Sequence, residues 1–489
     1  MAEPAGIRLK PALICVALTL MIWFVIPVPE GVDPDAWHLL ALFVGTIAAI
    51  IGKVMPIGAI AIIAIMLVAI TGVTNPNPAG ALRDALSGFS NSLIWLIGIA
   101  IMISRGLSKS GLGSRIAYRF ISIFGKKTLG IGYALVVSET VIAPVTPSNT
   151  ARGGGIIHPI MKSIAAGFES DPAQGTEKKI GRFLALVNYN TNPISSAMFI
   201  TATAPNPLIV NLISEATGAG ISITWGQWAL AALLPGLIAL ALMPMVIYFM
   251  CPPELRETPE APELARNKLA EMGPMSRDEK IMIGVFALLL LLWAGVPAKI
   301  FGDAYALNAT TVAFLGLSIL LVTSVLTWND VLSEKSAWDT ITWFAALVMM
   351  ATFLGRLGLT EWFSIQIKTM IEGMGIGWVG ATALLVGIYF YAHYFFASTT
   401  AHITAMFAAF FVAGIALGAP PMFLALLMAG ASSLMMSLTH FATGTAPIIF
   451  ASNYVTLKEW WQVGFVISVI NLTIWAVIGG IWWKILDYW

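Results

Sequence analysis

Residues 143–155 read Ala143-Pro144-Val145-Thr146-Pro147-Ser148-Asn149-Thr150-Ala151-Arg152-Gly153-Gly154-Gly155, a polar, proline- and glycine-punctuated run between apolar arms that together occupy about 129–163. A segment with such a middle does not cross a bilayer as one plain helix; it reads as a re-entrant hairpin. A second apolar segment, about 376–418, is interrupted in the same way by Ser398-Thr399-Thr400. Irregular backbone at membrane depth is tolerated only where it is buried in protein or lines a wet cavity, so two such interruptions point to a site.

The rest of the chain agrees with a membrane setting. Of 489 residues, 58% are hydrophobic and 10% charged, against roughly a quarter charged in soluble domains. A soluble enzyme is excluded. Apolar runs long enough for helical spans fall at about 11–28, 37–52, 56–73, 91–106, 183–203, 226–250, 280–298, 309–327, 339–356, 421–440 and 461–485, eleven in all. Stretches such as Ile281 to Ala298 are apolar all round, which argues against the alternating strands of a barrel. The chain is expected to be an all-α polytopic membrane protein of about 11 transmembrane helices plus two re-entrant hairpins. The 11–28 run has a basic flank at Arg8 and Lys10 and lacks a small-residue cleavage site, so it reads as the first membrane helix rather than a signal peptide.

With the N-terminus placed in the cytoplasm, 20 of the 26 Lys and Arg residues fall in inner segments, as the positive-inside rule requires. Arg83, Lys299, Arg356, Lys368 and Lys484 fall outside, and Arg152 lies inside a hairpin. The most polar stretch, Pro252 to Lys280, holds twelve charged residues and divides the chain. The expected organisation is an N-terminal membrane helix over 1–36, a first repeat over 37–251, a cytoplasmic linker over 252–280 and a second repeat over 281–489. Three matches carry the repeat. Trp95 followed by Gly111-Leu112 is echoed by Trp343 followed by Gly358-Leu359. Ser148-Asn149-Thr150-Ala151-Arg152 is echoed by Ser398-Thr399-Thr400-Ala401-His402, and Thr201-Ala202-Thr203-Ala204-Pro205 by Thr443-Gly444-Thr445-Ala446-Pro447. An odd number of crossings separates the copies, which makes the repeat inverted, an architecture of secondary transporters.

Where a helix restarts at a hairpin tip, its first N–H groups lack intrahelical partners, and Ser, Thr and Asn add hydroxyl and amide donors beside the positive end of the helix dipole. Such a tip suits a carboxylate, and two opposed tips suit a dicarboxylate. The alternative is that these small residues only pack helices. Arg152 lies four residues after Ser148 and His402 four after Ser398. An intramembrane arginine is costly and usually marks a pathway or a pair, although Arg152 snorkelling to the interface and His402 as a neutral packing residue are competing readings. Glu139 either holds a proton or pairs with a nearby base.

Other chemistries lack their residues. Cys15 and Cys251 are too few for a disulfide framework or a thiolate metal site, no HExxH occurs, and Arg152-Gly153-Gly154-Gly155 lacks the Lys-Ser/Thr step of a phosphate-binding loop. No metal and no organic cofactor is expected. The net charge of +1 gives no reason to invoke nucleic acid. Polar residues cluster at two tips and two breaks rather than along a pore, which disfavours a channel. Trp460, Trp461, Trp482 and Trp483 read as interface anchors.

The run from Ala143 to Gly155, with the two Thr-x-Thr-Ala-Pro segments, resembles the divalent anion/sodium symporter superfamily over the whole chain, and within it the exchanger branch of bacterial citrate/succinate and tartrate/succinate antiporters and plastid 2-oxoglutarate/malate translocators. The resemblance implies a homodimer in the inner membrane, held by a scaffold domain, with a transport domain that slides like an elevator. It places substrate binding on Ser148, Asn149 and Thr150, on Ser398, Thr399 and Thr400, and on Thr203, Pro205, Thr445 and Pro447 of two unwound segments. Arg152 and His402 then correspond to a cationic pair that offsets substrate charge where other members use sodium. Sodium-coupled members usually keep Asn in both tips, whereas here the second tip has Thr399. The expected function is sodium-independent exchange of malate, succinate, 2-oxoglutarate, tartrate or citrate. A sodium-coupled dicarboxylate symporter is the alternative, and an anion channel or membrane enzyme is more remote.

Overall fold

A computed structural model describes residues 6–218, 220–372 and 377–489. Residues 1–5 of the N-terminal segment, residue 376 at the start of the second hairpin, and the side chain of Lys368 lie outside the described residues. Within them the chain is helical throughout, with one isolated bridge between Lys127 and Glu257. Eight described helices are long and apolar enough to cross a membrane, and four shorter apolar helices accompany them.

Each of the eleven expected spans coincides with a helix. In chain order α1 is Leu9–Val25, α2 Pro34–Ile51, α3 Ile57–Thr71 and α4 Ser92–Ser110. After Gly111 come α5 Leu112–Phe124 and the first hairpin: α6 Thr128–Ile142, a tip, a π-helical turn Thr150–Ile157 and α7 His158–Gly167. Then follow α8 Gly181–Met198, a break, α9 Pro205–Ala216 and α10 Trp225–Met250. The polar stretch 252–280 carries α11 Ala261–Glu271 and the first turn of α12 Arg277–Trp293. After α13 Ala309–Val322 and the short α14 Trp328–Leu332, the second half repeats the order of the first. Its elements are α15 Lys335–Arg356, Gly358, α16 Leu359–Glu372, a hairpin of α17 Trp378–Tyr391 and α18 Thr399–Ala416, a broken helix α19 Pro421–Leu434 and α20 Thr445–Phe450, and α21 Leu457–Ile485.

The Gly111 and Gly358 match has a physical cause. Both residues sit at φ near +80°, a left-handed backbone that ends one helix and redirects the chain into the next, and only glycine adopts it without strain. Two expected spans depart from a plain apolar helix. α8 carries Asn188, Asn190, Thr191, Asn192, Ser195 and Ser196, every one of them buried, so it is walled by protein rather than lipid. α12 opens on Arg277, Asp278 and Glu279 behind a Ser276 capping box and becomes apolar only beyond them.

Packing separates two groups of helices. α2, α3, α4, α12, α13 and α15 pack on one another, as do α6, α8, α10, α19 and α21. The linker is strapped down: α11 lies along α5, Arg115 pairs with Glu279 at 2.5 Å, and Thr128 takes N–H and hydroxyl bonds to the Arg256 and Leu255 carbonyls. Trp460 and Trp483, read from the sequence as interface anchors, are 1% exposed. Trp460 packs on Tyr189 with ring centroids 4.4 Å apart, and the Trp483 indole N–H donates to the Ala231 carbonyl. Burial against the broken helix α8 and against α10 overrides the usual interfacial preference.

Candidate functional site

The two hairpin tips are built alike. The Ser148 hydroxyl accepts the Ala151 N–H at 3.1 Å, and the Ser398 hydroxyl accepts the Ala401 N–H at 3.3 Å. The first helical i→i−4 bonds run from Arg152 N–H to the Ser148 carbonyl and from His402 N–H to the Ser398 carbonyl. Each serine therefore caps a restarting helix. The N–H groups of Asn149 and Thr150, and of Thr399 and Thr400, stand ahead of those first bonds at the positive helix end.

Both tips line one cavity of ≈ 210 Å³, closed on the other side by Thr203, Pro205, Thr443 and Gly444 from the two breaks and by Ile101, Ser336 and Thr340 from α4 and α15. This is smaller than the roughly 300 Å³ at which drug-sized pockets begin, and it suits a small anion. Among the described residues, no Asp, Glu, Lys, Arg or His is on its wall. The hydroxyls of Thr150, Thr203, Thr400 and Ser336 line it and make no hydrogen bond to a described residue, so they are donors in waiting. The breaks cross over between the halves: α9 packs along α18, and α20 packs on the π-helical turn Thr150–Ile157. Gly444 is needed for that approach, since a Cβ there would lie 2.5 Å from the Thr150 hydroxyl.

Eight of the ten substrate-binding candidates read from the sequence and the resemblance, Ser148, Asn149, Thr150, Ser398, Thr399, Thr400, Thr203 and Pro205, line this cavity. Thr445 and Pro447 do not. The Thr445 hydroxyl faces inward to the Asn192 amide oxygen at 3.4 Å, and Thr443 and Gly444 take the place on the wall. Ile101, Ser336 and Thr340 carried no mark in the sequence, because spacing along a helix does not show which of its faces meets a cavity.

Arg152, expected to offset substrate charge, does not reach the cavity wall. It is 0% exposed, and all five of its N–H donors are used within the protein. Nε donates to Glu139 at 2.9 Å, one terminal nitrogen to the Thr146 and Ala202 carbonyls at 2.6 and 2.8 Å, and the other to the Ser195 and Ser196 hydroxyls at 3.3 and 2.9 Å. The guanidinium thus rivets tip, break and α8 together, with Glu139 as its counter-ion. Asn192 completes the knot by donating to Glu139 at 2.6 Å and to the Asn149 carbonyl at 3.0 Å. His402 is likewise buried behind the second tip, with its Nδ1 3.1 Å from Nδ1 of His393.

A second cavity of ≈ 670 Å³ shares Ile101, Ser148, Thr150 and Ser336 with the first and continues past Arg105, Lys109, Asp330 and Glu334. Lys109 meets Asp330 at 2.6 Å, and Arg105 meets Asp330 and Glu334 at 3.4 and 3.3 Å. The Lys109 ammonium, followed by the Thr327 N–H, holds the Asp330 carboxyl well below the usual carboxylate range. A depressed carboxyl contributes its stability above its unfolded value of about 3.9 and loses it only as pH falls through the lower folded value. The contacts of Asp330 with Lys109 and Arg105 are therefore intact from about pH 5 to pH 8. Asp330→Asn should leave the shape of any transport pH profile in that window unchanged; a flattened profile would show that Asp330 titrates within it.

The sequence model described as the sodium:sulfate symporter transmembrane region matches residues 8–489. A putative malate transporter of Bacillus subtilis (strain 168) is 49% identical over 487 residues, covering 100% of this chain and 98% of that protein. The chloroplastic dicarboxylate transporter 1 of Arabidopsis thaliana is 46% identical over 484 residues, covering 99% of this chain and 84% of the relative. Among solved structures, the Alcanivorax borkumensis YdaH transporter aligns with a TM-score of 0.58 at 11% identity over 98% of both chains, a likeness of fold alone.

Proposed function

We propose, from the premise that this chain belongs to the sodium:sulfate symporter family, that it exchanges small dicarboxylates across a membrane without sodium. The observation that carries this reading is the cavity between two matched tips: each offers hydroxyls and helix-start N–H groups to one carboxylate, on a wall to which the described residues bring no fixed charge. Similarity to a putative malate transporter and to dicarboxylate transporters supports the substrate class. Malate, succinate, 2-oxoglutarate, tartrate and citrate all fall within it.

Sodium independence rests on what has become of the backbone carbonyls. Transported cations take oxygen ligands, typically unwound-backbone carbonyls beside the substrate. Here Arg152 consumes the Thr146 and Ala202 carbonyls, while the Ala442 carbonyl sits 3.0 Å from His393 Nε2 and also takes the Thr399 hydroxyl. Side-chain N–H groups thus occupy the oxygens that a cation would need. The family's description as sodium symporters favours sodium-coupled symport as a second reading, which would require those carbonyls to be released.

Exchange follows from the cost of an empty crossing. The unpartnered hydroxyls and N–H groups would lose water as the cavity passes the Ile101 face, at about 1–3 kcal/mol for each polar group left unsatisfied. A bound dicarboxylate satisfies them. Because Glu139 neutralises Arg152, this cost arises at the tips rather than from a naked arginine. The two packed groups of helices suit an elevator in which the tips and broken helices slide past α4 and α15, in a homodimer built on the latter group. With the N-terminus in the cytoplasm of an inner membrane, the vestibule at Arg105 and Lys109 opens inward.

Uptake of radiolabelled malate or succinate into proteoliposomes, with and without internal dicarboxylate and in sodium or choline buffer, tests the reading. It requires uptake that depends on internal dicarboxylate and ignores sodium; sodium-driven uptake into empty vesicles would replace it with the symporter.

A further inference from the structure

Far from the tips, the first three helices leave an apolar crevice open to the outside. α1 packs along α2 and α2 along α3, and between α1 and α3 runs a groove of ≈ 550 Å³. Cys15, Leu42 and Ala64 are buried in its floor, while Val16, Leu20 and Ile63 on its rim are 54%, 49% and 42% exposed. The wall extends from Ile7 to Phe24, about 25 Å along α1 at the helical rise and most of the roughly 30 Å of a hydrocarbon core. Among the described residues no charged group lines it. Its three threonines offer nothing polar either. The hydroxyls of Thr19, Thr46 and Thr71 each donate to the carbonyl four residues earlier, at 3.0, 2.8 and 2.7 Å. The crevice therefore suits a hydrocarbon chain, and neither water nor a carried anion.

Cations gather at one mouth. Arg8 lies one turn before the wall residue Ala12 and grips the end of α2 on both sides of Lys53. Its backbone N–H donates to the Val54 carbonyl at 3.0 Å, and its guanidinium to the Gly52 carbonyl at 3.4 Å. Lys53 stands between them at φ +50°, a left-handed position where glycine or asparagine is the less strained choice. Lys10 is a third cation, but its i+4 neighbour Ile14 is not on the wall, so its register turns it off the groove face. All three are exposed, and none forms an ion pair with a described residue. Asp339 of α15 is the acidic group that abuts Gly58 at the start of α3. The opposite mouth has the reverse charge: the α1–α2 connection carries Glu30 and Asp33 and no Lys or Arg.

We propose that this crevice binds one anionic phospholipid, with an acyl chain along Val16, Leu20 and Ile63 and the headgroup phosphate on Arg8 and Lys53.

An apolar slot with cations at one end and carboxylates at the other has the polarity of a single lipid in one leaflet. Basic pockets between membrane helices recognise anionic headgroups in this way. A phosphate also accounts for a lysine held at a strained backbone position, which a neutral headgroup would not need. A second copy of the chain fits the groove poorly. Two copies related by an axis along the membrane normal would place their basic mouths in the same leaflet, cation against cation, and like charges set together oppose association. With the N-terminus in the cytoplasm, the lipid belongs to the cytoplasmic leaflet.

Native mass spectrometry of the full-length protein in detergent, titrated with phosphatidylglycerol or phosphatidylcholine of identical chains, reads the site directly. Lipid retention is measured without transport, so the substrate class does not enter. One phosphatidylglycerol per chain should be held in preference to phosphatidylcholine. In the double variant Arg8→Gln, Lys53→Gln, affinity for phosphatidylglycerol should fall by about 30-fold, the scale of two cations lost beside a phosphate. Lys10→Gln should keep most of it. Val16→Trp, whose indole fills the groove at its rim, should lose the bound lipid with all three cations in place. Equal retention of the two lipids, or equal loss in Lys10→Gln and the double variant, would reveal a diffuse basic edge and overturn the site. Retention by a folded Val16→Trp would place the lipid by its headgroup alone and overturn the crevice. An oligomer that comes apart in Val16→Trp would show that a second copy fills the groove, which overturns it as well. Should Val16→Trp fail to fold, the double variant against Lys10→Gln decides, since all three of those side chains are exposed.

Discussion

Arg152→Gln is expected to leave little folded protein, rather than a folded transporter with weakened substrate affinity. The substitution removes the counter-ion of Glu139, whose carboxylate is 0% exposed and whose second oxygen already lacks a partner. Stranding one member of a buried ion pair costs about 3–5 kcal/mol. Four further bonds are lost with the guanidinium, to Thr146, Ala202, Ser195 and Ser196, so the tip, the break and α8 lose their common fastening. Lysine should not rescue, because a point ammonium with three donors cannot span five acceptors arranged in a fork. The double variant Arg152→Gln, Glu139→Gln removes both charges and should recover much of the stability. Size-exclusion profile and thermal unfolding in detergent read the effect. A stable, monodisperse Arg152→Gln with reduced substrate affinity would mean that the guanidinium faces the substrate after all.

Asn149→Ala is expected to lower exchange by on the order of 100-fold, the scale of a displaced binding group, in a protein that still folds. The Asn149 amide donates to Thr443 at 2.9 Å and to Asn192 at 3.3 Å, so it sets the distance between the first tip and the second break. Alanine leaves the backbone N–H groups of the tip in place and removes what aims them. The opposite tip should be more forgiving: Thr399→Ser keeps the hydroxyl that donates to Ala442 and should keep most of the activity. Wild-type exchange in Asn149→Ala, measured at equal protein in the vesicles, would contradict the assignment of this tip.

The parts legible in the sequence are those with a local cause. Re-entrant hairpins were marked by polar runs inside apolar arms, and the repeat by Gly111 and Gly358, each forced by a left-handed turn. The tips were legible because a serine cap and a restarting helix lie within four residues. What could not be read was the direction in which a side chain finds its partner. Glu139 and Arg152 lie 13 residues apart on opposite arms of a hairpin, a pairing that neither helical spacing nor composition specifies. His393 looked like one more histidine until the second break brought the Ala442 carbonyl to its far nitrogen. Thr445 and Pro447 were carried to the wall by analogy with Thr203 and Pro205, but the second break is longer, and Thr443 and Gly444 arrive there first. In a membrane interior the polar groups are few enough to be noticed, but their pairing is a tertiary fact.

The proposed exchange requires one dicarboxylate to bridge the two tips while protein N–H groups hold the carbonyls a cation would use. A cryo-electron microscopy structure of the full-length protein with saturating malate, prepared in sodium buffer, tests both halves at once. Density should span from Ser148–Thr150 to Ser398–Thr400, with Arg152 still on the Thr146 and Ala202 carbonyls and His393 still on Ala442. Malate bound elsewhere, or an ion coordinated by those carbonyls with the two side chains displaced, would contradict it.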